Sequence, residues 1–128
     1  MRIFRNKHFS RFAKKAQIDD ILLCKAVLNA EKGLIDADLG GGIIKQRIAR
    51  SGGGKSGGFR TIILFKSGDK AFFIYGFAKN EIDNISNADL LFFKELAVEM
   101  LNYKEDKITD LITKQKLFEV YYDKKTIP

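Results

Sequence analysis

Two apolar stretches, FRTIILFK (59–66) and KAFFIYGF (70–77), flank Ser67-Gly68-Asp69. β-Branched and aromatic residues at this density, separated by a short glycine-containing turn, specify a β-hairpin. Their near-continuous apolarity predicts central strands, covered by helices on at least one face. Any fold of this chain has to be built around that hairpin.

The flanking segments supply the cover. Ile3 and Phe4 lie in an extended pattern, so Met1 to Arg5 reads as a first strand, and Phe9, Phe12, Ala13 and Ala16 then recur at helical spacing. Asp19 or Asp20 caps a second helix with a stripe of Leu23, Cys24, Val27, Leu28 and Ala30, ended by Gly33. From Ile43 to Ala49 the period becomes two, with Lys45 and Arg47 on one face and Ile44, Gln46 and Ile48 on the other. Residues 50–58 read as a loop. Ser86 and Asp89 resemble a capping box before a helix carrying Leu90, Phe93, Leu96, Ala97, Met100 and Leu101. Lys104 to Lys116 predicts a further helix, Leu117 to Tyr122 a last strand, and Asp123 to Pro128 a loose tail. The order implies an α+β fold: a small antiparallel sheet with N-terminal helices packed on one face and a C-terminal helix.

At 128 residues with 45% hydrophobic content, the chain predicts a single domain over 1–128, its core about 1–103 and an extension over 104–128. One Cys and one His exclude an internal disulfide and a His/Cys zinc centre, and no metal or other cofactor is expected. Cys24 reads as core. No apolar run reaches the roughly 18–20 residues of a membrane helix, and the basic N-terminus lacks a signal core. A cytoplasmic protein without a membrane partner is the expectation.

The net charge of +7 is concentrated. Between Asp38 and Asp69 there is no acidic residue, while Lys45, Arg47, Arg50, Lys55, Arg60 and Lys66 all fall there, and eight of the eleven glycines lie between positions 40 and 58. Cations with glycines that let backbone approach a ligand point to a phosphate-bearing partner such as nucleic acid. The segment GGGKSGG contains Gly-Lys-Ser but is no phosphate-binding P-loop. Ala49 stands where that motif needs its first glycine, and a strand follows where it needs a helix.

Strand parity gives a more productive reading. Lys45 and Arg47 share a face, Arg60 opens the next strand, and Tyr75, Phe77 and Lys79 share a parity near the end of a third. If these strands are neighbours, cations and an aromatic ring converge to hold a single RNA strand, with Arg50, Tyr75 and Phe77 as RNA-binding residues. Metal-free RNA cleavage uses the adjacent 2′-OH as nucleophile, and Arg and Lys stabilise the charge that develops on phosphorus. Lys45 or Lys55, crowded by arginines, is the candidate base. His8 reads as a surface or cap residue, and Glu81 and Asp83 as carboxylate partners or structural ion pairs.

The segments KQR (45–47), GKSGGFR (54–60) and KNE (79–81), in this order, resemble the RelE/ParE superfamily of type II toxin–antitoxin toxins, closest to its RelE/HigB-like branch. The resemblance covers roughly residues 1 to 103. It implies a small α+β toxin that cuts mRNA on the ribosome and is neutralised by a cognate antitoxin. Carried over by motif, Lys45, Arg47, Lys55, Arg60 and Lys79 are the catalytic set. Arg47 and Arg60 would hold the scissile phosphate, Lys45 or Lys55 would activate the 2′-OH or orient the RNA, and Glu81 would be structural. Phe77 stands where relatives often carry Tyr, so a tyrosine acid would have to be Tyr75, Tyr121 or Tyr122. The extension after Tyr103 either packs on the sheet or orders on antitoxin binding. Two other readings are a ParE-like inhibitor of DNA gyrase, against which the full basic set weighs, and an RNA-binding relative without activity.

Overall fold

In the computed structural model, which describes residues 1–49, 58–78 and 85–121, the hairpin forms as β4 (Phe59–Lys66) and β5 (Lys70–Ala78). Their antiparallel register runs from Phe59 opposite Ala78 to Lys66 opposite Lys70, and Gly68 takes the positive φ of the turn, +75°. β3 (Ile43–Ile48) pairs antiparallel with β4, and β2 (Ala37–Gly40) with β3. On the other side β1 (Arg2–Asn6) runs parallel to β5, and β6 (Leu117–Val120) antiparallel to β1. The sheet order is β2-β3-β4-β5-β1-β6. It is a mixed sheet, mostly antiparallel.

Helices cover both faces. α1 (Lys7–Ala16) and α2 (Asp20–Glu31) pack on the face that carries Ile3, Ile44, Ile48, Ile63 and Phe73. α3 (Asn87–Met100) and α4 (Glu105–Thr113) pack on the opposite face, over Phe4, Ile43, Ile62, Leu64 and Phe72. The N-terminal helices thus share one face, as expected. Helices on one face alone would have left half of the β4–β5 apolar surface in water; neighbours such as Ile62 and Ile63 are both fully buried, in different cores.

The helix starts follow local chemistry. The side chain of Asp19 accepts from Leu22 N at 3.0 Å, and Ser86 Oγ from Asp89 N at 3.1 Å. Asn6, the last residue of β1, caps α1 by accepting from Phe9 N at 2.7 Å, so strand passes directly into helix. Residues 104–120 are part of the same body: Ile108 of α4 and Leu117 of β6 are fully buried and β6 is paired to β1. Residues 104–120 therefore pack on the sheet, the first of the two alternatives for the extension.

A bulge in the β4–β5 pairing shapes the site. Ile62 faces Tyr75 while Ile63 faces Phe73, leaving Ile74 as the extra residue. Strict alternation would send Tyr75 and Phe77 to the face of Phe73, under α1. The bulge instead puts them with Phe72 and Ile74 on the α3 side, and Gly76 turns toward Phe12 of α1.

Candidate functional site

On the α3 side of the sheet, two cross-strand rows end at one corner. Arg47 lies directly opposite Arg60, which lies opposite Phe77; one step inward, Lys45 lies opposite Ile62, which lies opposite Tyr75. Directly opposed residues are about 4.5–5.5 Å apart at Cα, so Arg47 and Arg60 can address one phosphate together. Lys45 is half-buried and Arg47 exposed. The conditional convergence of Lys45, Arg47, Arg60, Tyr75 and Phe77 is therefore met by the register.

Arg60 is the most constrained of the set. Its side chain is 16% exposed and its Nε sits 3.4 Å from Asp36 Oδ2. Its Nη1 is buried with no hydrogen-bond partner among the described residues. A buried donor left unmatched costs about 1–3 kcal/mol, and Nη1 is in place to meet an incoming acceptor. Arg47 is itself engaged, with its Nε near Gly58, where an added Cβ would lie 3.6 Å from it and 3.0 Å from Ile48 O. A side chain at position 58 would crowd both the β3 backbone and this guanidinium.

The opposite face of β3 anchors the corner. Gln46 is buried; its Nε2 donates to Ala26 O and Leu34 O, each at 2.9 Å, and its Oε1 accepts from Asp36 N at 3.0 Å. Gln46 thereby ties α2 and the segment after it to β3, and presents Asp36 to Arg60. Neither Gln46 nor Asp36 was singled out from the sequence. A polar residue at an inward position of an otherwise apolar strand face, between Ile44 and Ile48, is the signal that marks Gln46.

The aromatic positions part company. Tyr75 is half-buried; its ring stacks on His8 with centroids 5.5 Å apart and planes 3° from parallel, and it also touches Phe77 and Phe93. Phe77 is only 3% exposed, packed beneath α3 as part of the core on that face. His8 is exposed in the first turn of α1 and is not its cap, which is Asn6. Tyr121 follows β6 at the opposite end of the sheet, hydrogen-bonded to Glu119, which leaves Tyr75 as the described tyrosine at this corner. Arg50, Lys55, Lys79, Glu81, Asp83 and Tyr122 lie outside the described residues.

Among the described residues no cluster of three or more His, Cys, Asp or Glu side chains could hold a metal ion, and no helix is long and apolar enough to cross a membrane. A corner of cations on a six-stranded sheet between two helical layers defines a small α+β protein with a cationic face. The family described as the RelE toxin of the RelE / RelB toxin-antitoxin system matches residues 1–120, and the chain belongs to it. The match runs past Tyr103 to the end of β6, so α4 and β6 are part of the family's domain. Membership implies a cognate antitoxin as partner. No curated protein matches the chain.

Proposed function

We propose that this RelE family toxin is a ribosome-dependent endoribonuclease that cuts translated mRNA in the cytoplasm without a metal ion. The observation that carries the reading is the alignment of Lys45, Arg47 and Arg60 on one face of two adjacent strands. In the reaction the 2′-oxygen attacks the adjacent phosphorus while its proton passes to a base, and the bond to the 5′-oxygen breaks as that oxygen takes a proton. A 2′,3′-cyclic phosphate and a 5′-hydroxyl end result. Arg47 and Arg60 hold the phosphate and stabilise charge that grows on its equatorial oxygens, a role worth several kcal/mol when donors are fixed in advance. Lys45 lies one step inward on the same face and serves as base or orients the ribose. Lys55 and Lys79 join the catalytic set, and Arg50 the RNA contacts, on the family resemblance alone. Tyr75 is the candidate proton donor, in the role Phe77 has no hydroxyl to fill.

The test is induced expression of wild type and of Arg47→Ala/Arg60→Ala, with growth and mapped mRNA 5′ ends as readouts at equal soluble protein level. Growth arrest with new cuts inside translated codons, both lost in the double variant, is the expected result. Arrest without cuts would overturn the nuclease and direct attention to gyrase; no arrest would leave an inactive RNA-binding relative.

A further inference from the structure

Beside the arginine corner lies a cavity of about 380 Å³ that shares only Tyr75 with the cleavage chemistry above. It opens between the start of α1, the end of β5 and the first turns of α3, and His8, Tyr75, Phe77, Asp89, Phe92 and Phe93 contribute to its wall. Its size falls within the range of small-ligand sites, about 300–1,000 Å³, and its lining is largely aromatic with a few polar groups.

From this geometry we infer that the cavity is a nucleobase pocket, which holds one unpaired base of the RNA strand whose phosphate lies on Arg47 and Arg60. The inference rests on the RNA reading of that corner. Three observations support it. Phe77 forms part of the cavity wall and is the direct cross-strand neighbour of Arg60, so pocket and phosphate site are one strand spacing apart, within reach of a single nucleotide. Phe92 is 58% exposed at the rim although large and apolar, placed to cover a flat ring, and the parallel His8–Tyr75 pair offers a second aromatic surface. Asp89 makes no ion pair with a described residue, and its carboxylate disfavours a phosphate inside the cavity while it can accept from a base N–H. The Asn6 side chain, also at the wall, is already committed to Ile74 O and Phe9 N, which leaves His8 and Asp89 to read the base edge.

His8 is the only histidine in the chain, so its two ring C–H signals report on the pocket without assignment of the rest of the protein. Full-length protein is titrated at constant pH with adenosine 5′-monophosphate, with ribose 5-phosphate and with inorganic phosphate, alongside ribosome cleavage assays. The expected result is an upfield ring-current shift of the His8 signals with the nucleotide alone, and about tenfold weaker nucleotide binding in Phe92→Ala, the lower part of the range for loss of one base–aromatic stack. Phe92→Ala should also change which codons are cut while its melting temperature stays at the wild-type value. Equal shifts with ribose 5-phosphate, or unchanged nucleotide affinity in Phe92→Ala, would overturn the pocket. So would His8 signals that ignore nucleotides and move only when antitoxin is added, which would make the cavity a protein-docking site. Ribosome cleavage without a nucleotide shift would remove the pocket and leave the nuclease; a nucleotide shift without cleavage would do the reverse.

Discussion

Gln46 offers the sharpest test of how this fold holds its cationic corner. Replacing it with Met keeps the length and volume of the side chain but removes three hydrogen bonds, to Ala26 O, Leu34 O and from Asp36 N. Each contributes about 1 kcal/mol net, and the buried groups left behind add desolvation cost, so Gln46→Met should lose about 2–4 kcal/mol. For a domain of this size that is a fall of roughly 8–16 °C in melting temperature. Gln46→Glu should lose at least as much at neutral pH, because a carboxylate would face two carbonyl oxygens. Burial beside those acceptors raises that introduced carboxyl above its unfolded value of about 4.3, so protonation favours the folded state and the deficit should shrink as pH falls toward that value. Urea and thermal melts followed by circular dichroism supply the numbers. A loss in Gln46→Met below about 1 kcal/mol, or a Gln46→Glu deficit that widens on acidification, would refute the anchoring role.

Other consequences are simpler. Gly76→Ala places a Cβ 2.3 Å from Phe12 Cε2, in a ring wedged against Phe9 and Phe59, and should destabilise by about 1–3 kcal/mol in denaturant melts; a neutral result would mean that α1 can shift freely. Burial, with Asp20 adding repulsion, pushes the Cys24 thiol up to about 11, so an aromatic disulfide reagent should label it only as fast as the protein unfolds, and rapid labelling of folded protein would contradict its burial. Arg2 donates to Glu119 at 2.9 and 2.8 Å and holds that carboxyl below its ordinary value. The stability this contributes is present above about pH 4.5 and lost as pH falls through the lowered folded value, so Glu119→Gln should flatten the acid limb of the stability profile, measured by urea melts across pH.

The helices and five of the six strands, β6 included, were legible because their local patterns are written into the sequence. β2 was not, since Ala37-Asp38-Leu39-Gly40 has no strand propensity; it forms at the sheet edge, paired to β3 through a turn in which Gly40, Gly41 and Gly42 all take positive φ. Periodicity also shows that a helix buries a stripe without showing which face of the sheet receives it, so the placement of α3 and α4 came only with the structure. At the site, the shared face of Lys45 and Arg47 follows from alternation alone. Their alignment with Arg60 depends on register, and the position of Tyr75 and Phe77 on a bulge that alternation cannot anticipate. Asp36 lay in a segment without periodicity; the Gln46 amide holds its backbone N–H, and Arg60 Nε meets its carboxylate.

The arrangement of β3 and β4 makes a general point about motifs on strands. Lys45 and Arg47 face the candidate RNA site, and the residue between them, Gln46, faces α2 and makes three side-chain hydrogen bonds. On the next strand Arg60 faces the site, and its neighbour Thr61 points the other way, with Oγ1 donating to Gln46 O at 3.0 Å. Each cation on the open face is therefore next in sequence to a buried polar residue that fixes its backbone from behind. Guanidinium groups that must meet a phosphate in one geometry gain from such fixed support, because less is left to order when the ligand arrives. In a Lys-x-Arg motif on a strand, the middle position is the one that period two turns inward, so its identity is set by the core while its neighbours are set by chemistry.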